Sequence, residues 1–549
     1  MVAVSFVLVL ALVSSTVVAQ PGTNGFVEII ACFRRRPTFV PTESTHRWIP
    51  LDEETPTPPS DEDPVEIGLK YILQNLNLRS NEFKVMKNFT DSSGATHVYG
   101  IPRHKGSFIR NHHAAAHIKN GQVFFYSATT INDDHALAKR SPTISKSTAK
   151  LSSKKAVKAA VDCLGDIVSK EDVKRDFTYT AIELPNESPR DGFSTIVNPE
   201  NFQSSPNGWT EGYKLKGNNA LVKFKRGTTL KTTIRGRFDG AFDPVLPPQI
   251  SKNLEAGAIN AFYAFTCRSS LVTNMVHDVL YQYGFTEKAG NFQKDNFKRG
   301  GKEGDPVIIN VQNSERENSA SFSTPPDGYP GVLNLHIYTT TNPNRDSALD
   351  NTVMIHELTH GLSSRLTGGA HEDTCMTETE SRGLGEGYSD MMALIFTTKP
   401  EDTRNTIKVI AEYIKENPKG VRRYPYTTNM RINPLKYQDS IGEKDIHNLG
   451  TIWASLLFEV YWSLVNAYGF SANLHDATQK KGNIIFLQLF VGTLMIQPCN
   501  PTFDSAHDAM LAADDAYYGG IHKHLIRQGF AKRGLDPVSQ SDPTMESSV

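Results

Sequence analysis

Apolar residues fall along the chain in three regimes. Val65, Ile67, Leu69, Ile72 and Leu73 recur at near-helical spacing and predict a short amphipathic helix. From His97 to Thr129 the pattern changes to strands. There Ala115-Ala116-His117-Ile118 and Val123-Phe124-Phe125-Tyr126 flank Asn120-Gly121, two residues that tolerate positive φ, so a hairpin is expected. A further helix is expected after Ser152-Ser153, through Ala156, Val157, Ala160 and Val161. Residues 176–350 mix short strands with Gly and Pro turns around one long helical pattern from Ala256 to Tyr283. Val332 to Tyr338 alternates and reads as a strand, while 352–366 and 384–397 read as helices, as does most of the chain beyond Thr403. The apolar run Ile484 to Ile496 is too short for a bilayer and predicts a buried helix. The fold class is α+β, and no repeat is visible.

Composition changes the picture at the chain's first part. Residues 1–19 are nearly all apolar or small and read as a secretory signal peptide cleaved after Ala19. Residues 40–64 are rich in Pro, Thr, Asp and Glu and read as a linker. Lys139-Arg140 and Lys174-Arg175 are either processing sites or solvated surface. Over 549 residues, 38% hydrophobic and 21% charged content fits a globular protein, and a net charge of −1 offers no field for nucleic acid or an anionic membrane. Of five cysteines, Cys32 and Cys163 lie before residue 176, which leaves Cys267, Cys375 and Cys499. At most one disulfide forms among these, with Cys375–Cys499 the expected pair and three buried thiols the alternative. Asn88 and Asn186 begin sequons that permit N-glycosylation.

The chemistry concentrates at His356-Glu357-Leu358-Thr359-His360. Residues i and i+4 stack on one helix face, so both imidazoles can reach one ion, while Glu357 is rotated by about 100° and can approach a water on that ion without binding it. Catalytic zinc takes three protein ligands and keeps an open position. Glu386 is a candidate third ligand, with Asp390 one turn later able to hold a ligating imidazole in one tautomer. His112, His113 and His117 could bind metal, but a solvated strand is the reading preferred for them. His277 and Asp278 are expected to pair, and His371 sits in a polar stretch.

The stretch from His356 to Gly369 resembles the zinc helix of the fungalysins, secreted metalloproteinases related to thermolysin. Similar resemblances are carried by Glu380 to Asp390, Asn274 to Asp278, Thr324 to Gly328 and Gln497 to Phe503. They span about 180 to 535, and the hairpin region resembles the pro-domain of both families. The resemblance implies His356, His360 and Glu386 as zinc ligands, Glu357 as general base and Asp390 as the partner of His356. It implies His447, in Asp445 to Trp453, as the oxyanion donor, with a helix-end or core histidine as the alternative. Arg431, before Asn433-Pro434-Leu435-Lys436-Tyr437, is a candidate substrate contact in competition with Arg423. The strand from Asn334 to Tyr338 stands where the family has its substrate-binding edge strand. Three departures stand out. Tyr388 replaces a usual Trp. Thr377 falls near the position of thermolysin's oxyanion tyrosine. The pro-region also passes almost directly from Cys163 to Tyr179-Thr180-Ala181-Ile182, which resembles a mature start.

These features imply a signal peptide at 1–19 and a shortened pro-domain at 20–175. They imply a mixed α/β catalytic lobe with the zinc helix at 176–368 and a mainly helical lobe at 369–549. The expected activity is that of a secreted, monomeric zinc endopeptidase made as a zymogen, with its own propeptide as inhibitor and proteins or peptides as substrates. Calcium is left open, and no nucleic-acid or membrane partner is expected. The alternatives are a zinc aminopeptidase, which needs acidic groups for the substrate amine, an inactive protease-like binding protein, and a structural zinc site.

Overall fold

The computed structural model describes residues 43–51, 62–104, 107–109, 112–130, 177–224, 229, 231–262 and 273–536. The signal segment, both dibasic pairs, the helix expected after Ser153 and most of the linker lie outside them.

The first sheet follows from the hairpin. It comprises β1 (Glu43–Trp48), β2 (Phe83–Thr90), β3 (Thr96–His104), β4 (Ser107–Phe108), β5 (Ala114–Lys119) and β6 (Gln122–Thr130), in the order β1-β6-β5-β3-β2 with β4 on β3. Asn120 (φ 51°) and Gly121 (φ 75°) make the turn between β5 and β6. Helix α1 (Pro64–Asn75) starts where Asp63 accepts the Val65 N–H at 2.8 Å. It covers one sheet face, with Ile67, Tyr71 and Ile72 against Val98, Ala116, Ile118 and Val123. A side chain at Gly68 would stand 2.7 Å from the Ile118 side chain, so the helix lies close to the sheet. The opposite face, with Tyr99, Ala115, Phe124 and Phe125, belongs to the core of the rest of the chain. A solvated strand was therefore the wrong expectation for His112, His113 and His117. All three are buried, because the sheet is covered on both sides.

The remaining strands are short. β7 (Thr178–Ala181) pairs with β8 (Ser194–Val197) and β10 (Arg237–Phe238), while β9 (Ala220–Lys223) joins a four-stranded sheet. Of the expected long helix, α2 (Ser251–Phe262) and α3 (Thr273–Gln282) are described, and the residues between them lie outside the description. β11 (Val307–Asn310), β12 (Ala320–Ser323) and β13 (Val332–Leu335) complete the sheet in the order β12-β13-β11-β9, with β12 antiparallel at the edge. The alternation from Val332 to Tyr338 breaks at His336, whose Nδ1 lies 2.7 Å from the Asn313 carbonyl. Beyond it β14 (Ile337–Tyr338) pairs with β15 (Arg345–Asp346) instead.

Among the described residues six helices longer than one turn follow: α4 (Asn351–Leu366), α5 (Thr379–Thr397), α6 (Ile446–Tyr468), α7 (Gly482–Ile496), α8 (Phe503–Tyr518) and α9 (Lys523–Lys532), with a single helical turn at Glu412–Lys415. α7 is buried over its whole length, and no described helix is long and apolar enough to cross a membrane. Residues 404–445 are mostly irregular rather than helical, broken by Pro418, Gly420, Pro425 and Pro434. Cys375 and Cys499 form a disulfide that ties the loop after α4 to the segment after α7.

Candidate metal centre

Helix α4 begins at Asp350, which accepts the N–H groups of Thr352 at 3.1 Å and Val353 at 3.4 Å. One turn on, His356 and His360 meet with Nε2 atoms 3.2 Å apart. Helix α5 brings Glu386 to them, its carboxylate 3.3 Å from His356 Nε2 and 3.7 Å from His360 Nε2. Its approach is set by the crossing of α5 with α6. A side chain at Gly450 would fall 2.4 Å from the Glu386 Cβ, and one at Gly387 would fall 2.7 Å from the Gly450 carbonyl. Two glycines therefore admit the close packing that carries Glu386 to the histidines.

Asp390, one turn after Glu386, accepts His356 Nδ1 at 2.8 Å. That contact puts the ring proton on Nδ1 and leaves the Nε2 lone pair facing the centre. Asp390 also accepts Arg422 twice, at 2.7 and 2.8 Å, and the Tyr426 hydroxyl. Arg422 Nη2 and His447 Nε2 each lie 3.5 Å from Glu386. His447 sits in the first turn of α6 behind the cap of Asp445, with its side chain 55% exposed.

Electrostatics follow from these partners. Burial opposes a charge on His356, but its bond to Asp390 and the neighbouring carboxylate of Glu386 raise the ring to about 10. His360 lacks such a bond, and burial lowers it to about 4. Burial would push the carboxyls of Glu386 and Asp390 up. For Glu386 the histidines outweigh it, and for Asp390 Arg422 and His356 do, so both stay well below the usual carboxylate range. Burial pushes Glu357 up to about 7. It is 7% exposed and lies in hydrogen-bond reach of the Phe322 backbone on β12.

The donor set fits a metal. One atom each of His356, His360 and Glu386 lie within 4.8 Å of one another, and Glu386 Oε2 is buried without a hydrogen-bond partner. Two neutral-capable imidazoles and a carboxylate suit zinc, with Glu357 beside the set and outside it. Among the described residues a second convergence joins His113, Cys375 and Cys499, but the disulfide takes both thiols. Two cavities flank Glu357. One, of about 290 Å³, lies towards Tyr338, Val353 and Arg422, and the other, of about 500 Å³, lies towards His360, Arg382 and Glu386.

Not every expected residue comes to this place. Asn334 lies on β13, inside the sheet, and its side chain accepts from Asn310 and Asn313. The edge strand at the cleft is β12, because β13 is already paired on both sides. Arg431 stands exposed on a turn, and its N–H binds Asn429. The arginine at the centre is Arg422, one residue before the competitor Arg423. Thr377 spends its hydroxyl on the Thr374 carbonyl. His277 pairs with Asp278 at 3.0 Å, as expected. Arg422 and Tyr426 escaped the sequence reading because they lie in an irregular stretch with no periodicity, and Val421-Arg422-Arg423 offered two arginines with nothing to choose between them.

Comparison with known proteins gives a consistent picture. The chain is similar over 383 residues, 67% of its length, to three proteins: a probable extracellular metalloproteinase 5 of Arthroderma benhamiae (38% identical), an extracellular metalloproteinase 1 of Arthroderma gypseum (37%) and an extracellular metalloproteinase 5 of Trichophyton rubrum (38%). The match spans 59% of the length of each. Residues 81–129, from β2 to β6, match the fungalysin/thermolysin propeptide motif. Residues 178–537, which carry all three candidate ligands, match the fungalysin metallopeptidase (M36) model, and the chain belongs to that family.

Proposed function

We propose that this chain is a secreted, monomeric zinc endopeptidase made as a zymogen. Residues 43–130 belong to its pro-domain, and residues 177–536 form a two-lobed catalytic unit divided after α4. The observation that carries the reading is the meeting of His356, His360 and Glu386 at one point, with Glu357 beside them and outside the donor set. The names of the relatives support secretion and proteolysis.

Zinc held by His356, His360 and Glu386 would supply Lewis acidity towards the scissile carbonyl and the attacking water. The chain's own residues do the rest. Glu357, poised near neutrality by burial, takes a proton from the attacking water and delivers it to the leaving amine. His447 donates to the developing oxyanion. Arg422 holds Glu386 and Asp390 in place. The free edge of β12 takes the substrate as an added strand, so main-chain bonds bind it with broad sequence tolerance. Cavities on both sides of Glu357 leave room for side chains on both sides of the cut, which favours an endopeptidase over an aminopeptidase.

The zymogen reading is supported by the propeptide motif and by the way its sheet docks. Tyr99 donates to the Met495 carbonyl at 2.6 Å, Trp48 to Asp515 at 3.0 Å, and Lys87 meets Asp327 at 3.0 Å. None of the described residues 43–130 lines either cavity at Glu357. The test is Glu357→Gln. It retains one zinc per chain by elemental analysis and loses about 10³-fold in peptide hydrolysis, whereas full activity in that variant sinks the reading.

A further inference from the structure

The cavity of about 290 Å³ beside Glu357 has a mixed lining. Tyr338, Val353, Ile410, Ala411 and Val421 supply its apolar part, Asn318 and Ser319 are polar, and Lys415 also lines it with its Nζ 5.2 Å from the centre of the Tyr338 ring. Lys415 is half-buried, on the helical turn Glu412–Lys415.

That turn is fixed to the zinc helix. The Ala411 N–H donates to Thr352 Oγ1 at 2.9 Å, and the Ile414 N–H lies 3.4 Å from Asp350 Oδ2; both acceptors belong to the start of α4. Left-handed residues Ala411 (φ 64°) and Glu416 (φ 50°) bracket the turn. The position of Lys415 relative to Glu357 is thus set by the element that carries the catalytic residues.

Charge on the turn is unevenly satisfied. Glu412 pairs with Arg190 at 2.9 Å, and Glu416 pairs with Arg345 at 2.7 Å. Among the described residues no carboxylate forms an ion pair with Lys415. The other cation of the wall, Arg422, is committed to Asp390 and Glu386. The acids that would oppose a substrate carboxylate here are Glu357 and Glu386, and Glu386 is offset by Arg422 and His447, each at 3.5 Å.

We propose that Lys415 makes this cavity select a glutamate side chain on a residue directly flanking the scissile bond. The apolar part of the lining takes the two methylenes, and the ammonium group pairs with the carboxylate. Aspartate, one methylene shorter, fits less well. This preference rests on the endopeptidase reading above and deepens it with a substrate class.

The experiment uses protein secreted from expression of the full chain and peptides with one scissile bond, varied as Glu, Gln, Asp or Leu at each flanking position. At one flanking position Glu exceeds its isostere Gln in kcat/KM by about fivefold, the upper range for a partly exposed ion pair, and rising salt shrinks the ratio. In Lys415→Met, which keeps the apolar stem, the ratio falls to about one, and in Lys415→Glu it inverts. Equal Glu and Gln rates in the native protein, or an unchanged ratio in Lys415→Met, overturns the proposal. Failure of the native protein to cut any of the peptides instead overturns the endopeptidase reading beneath it.

Discussion

His356 and His113 are both 7% exposed, yet their surroundings drive them in opposite directions. His356 lies among Asp390, Glu386 and the other candidate ligand, and its ring is raised to about 10. His113 lies on the first sheet, beside the disulfide sulfurs, and neither ring nitrogen has a hydrogen-bond partner. Burial, with His112 as a neighbouring cation, lowers it to about 4. His371, across the seam, is likewise unpartnered and is lowered to about 3 by burial and by His113, Lys87 and Lys302. Depth alone therefore decides nothing about charge. Where a carboxylate bonds the imidazole, as at His356, a charged ring is favoured; where none does, as at His113 and His371, it is disfavoured. Asp327 is held by Lys87 and the Lys302 N–H.

The largest expected effect follows from the seam. The folded pKa of His113 lies below its unfolded value, so the unfolded chain takes up the proton first. The stability that rests on an uncharged His113 is complete above pH 6.5 and falls as the pH drops from there to about 4. For His113 alone the loss is on the order of 3 kcal/mol, with His371 adding to it. Denaturant unfolding measured across that window shows the fall, and hydrogen exchange places the earliest opening in β5. A flat profile, or opening that starts in α5 and α6, breaks the contrast between the two clusters.

At the metal centre the sharper test is Asp390→Asn. The shape stays, but the charge that orients His356 and holds Arg422 is removed. Zinc affinity, read by competition with a chelator, falls by about 10- to 100-fold, as is usual when a partner of a ligating histidine is lost. An unchanged affinity would mean that His356 is oriented by something other than Asp390.

The two clusters also differ in how readily the sequence shows them. The i, i+4 spacing of His356 and His360 is local, and the run from Gly383 to Asp390 carries Glu386 and Asp390 as one segment, so resemblance finds them. Arg422 and Tyr426 reach the same carboxylate from an irregular segment whose local pattern says nothing of its destination. Alternation shows that 332–335 is a strand but not that β12 lies outside it, so Asn334 falls on an interior strand. At the seam the sequence misleads in a different way. Histidines next to alanines at a short strand look solvated until the strand's second face is covered, and that cover comes from residues such as Met495 and Gln497, far along the chain.

The smallest expected effect decides whether the seam's histidines are responsible for its acid sensitivity. His113→Leu removes a ring whose nitrogens bond to nothing and leaves the strand's backbone bond, from the Thr129 N–H to the His113 carbonyl, in place. At neutral pH the variant unfolds within about 1 kcal/mol of the native chain, because an unpaired buried polar group is exchanged for an apolar one of similar volume. Below pH 6.5 the two diverge. The native chain takes up the unfavourable proton and the variant has none to take, so at pH 4.5 the variant is the more stable of the two. Equal acid slopes would move the sensitivity to His117, deeper in the same sheet with His97 at 2.8 Å and lowered by burial, and would leave His113 as inert packing.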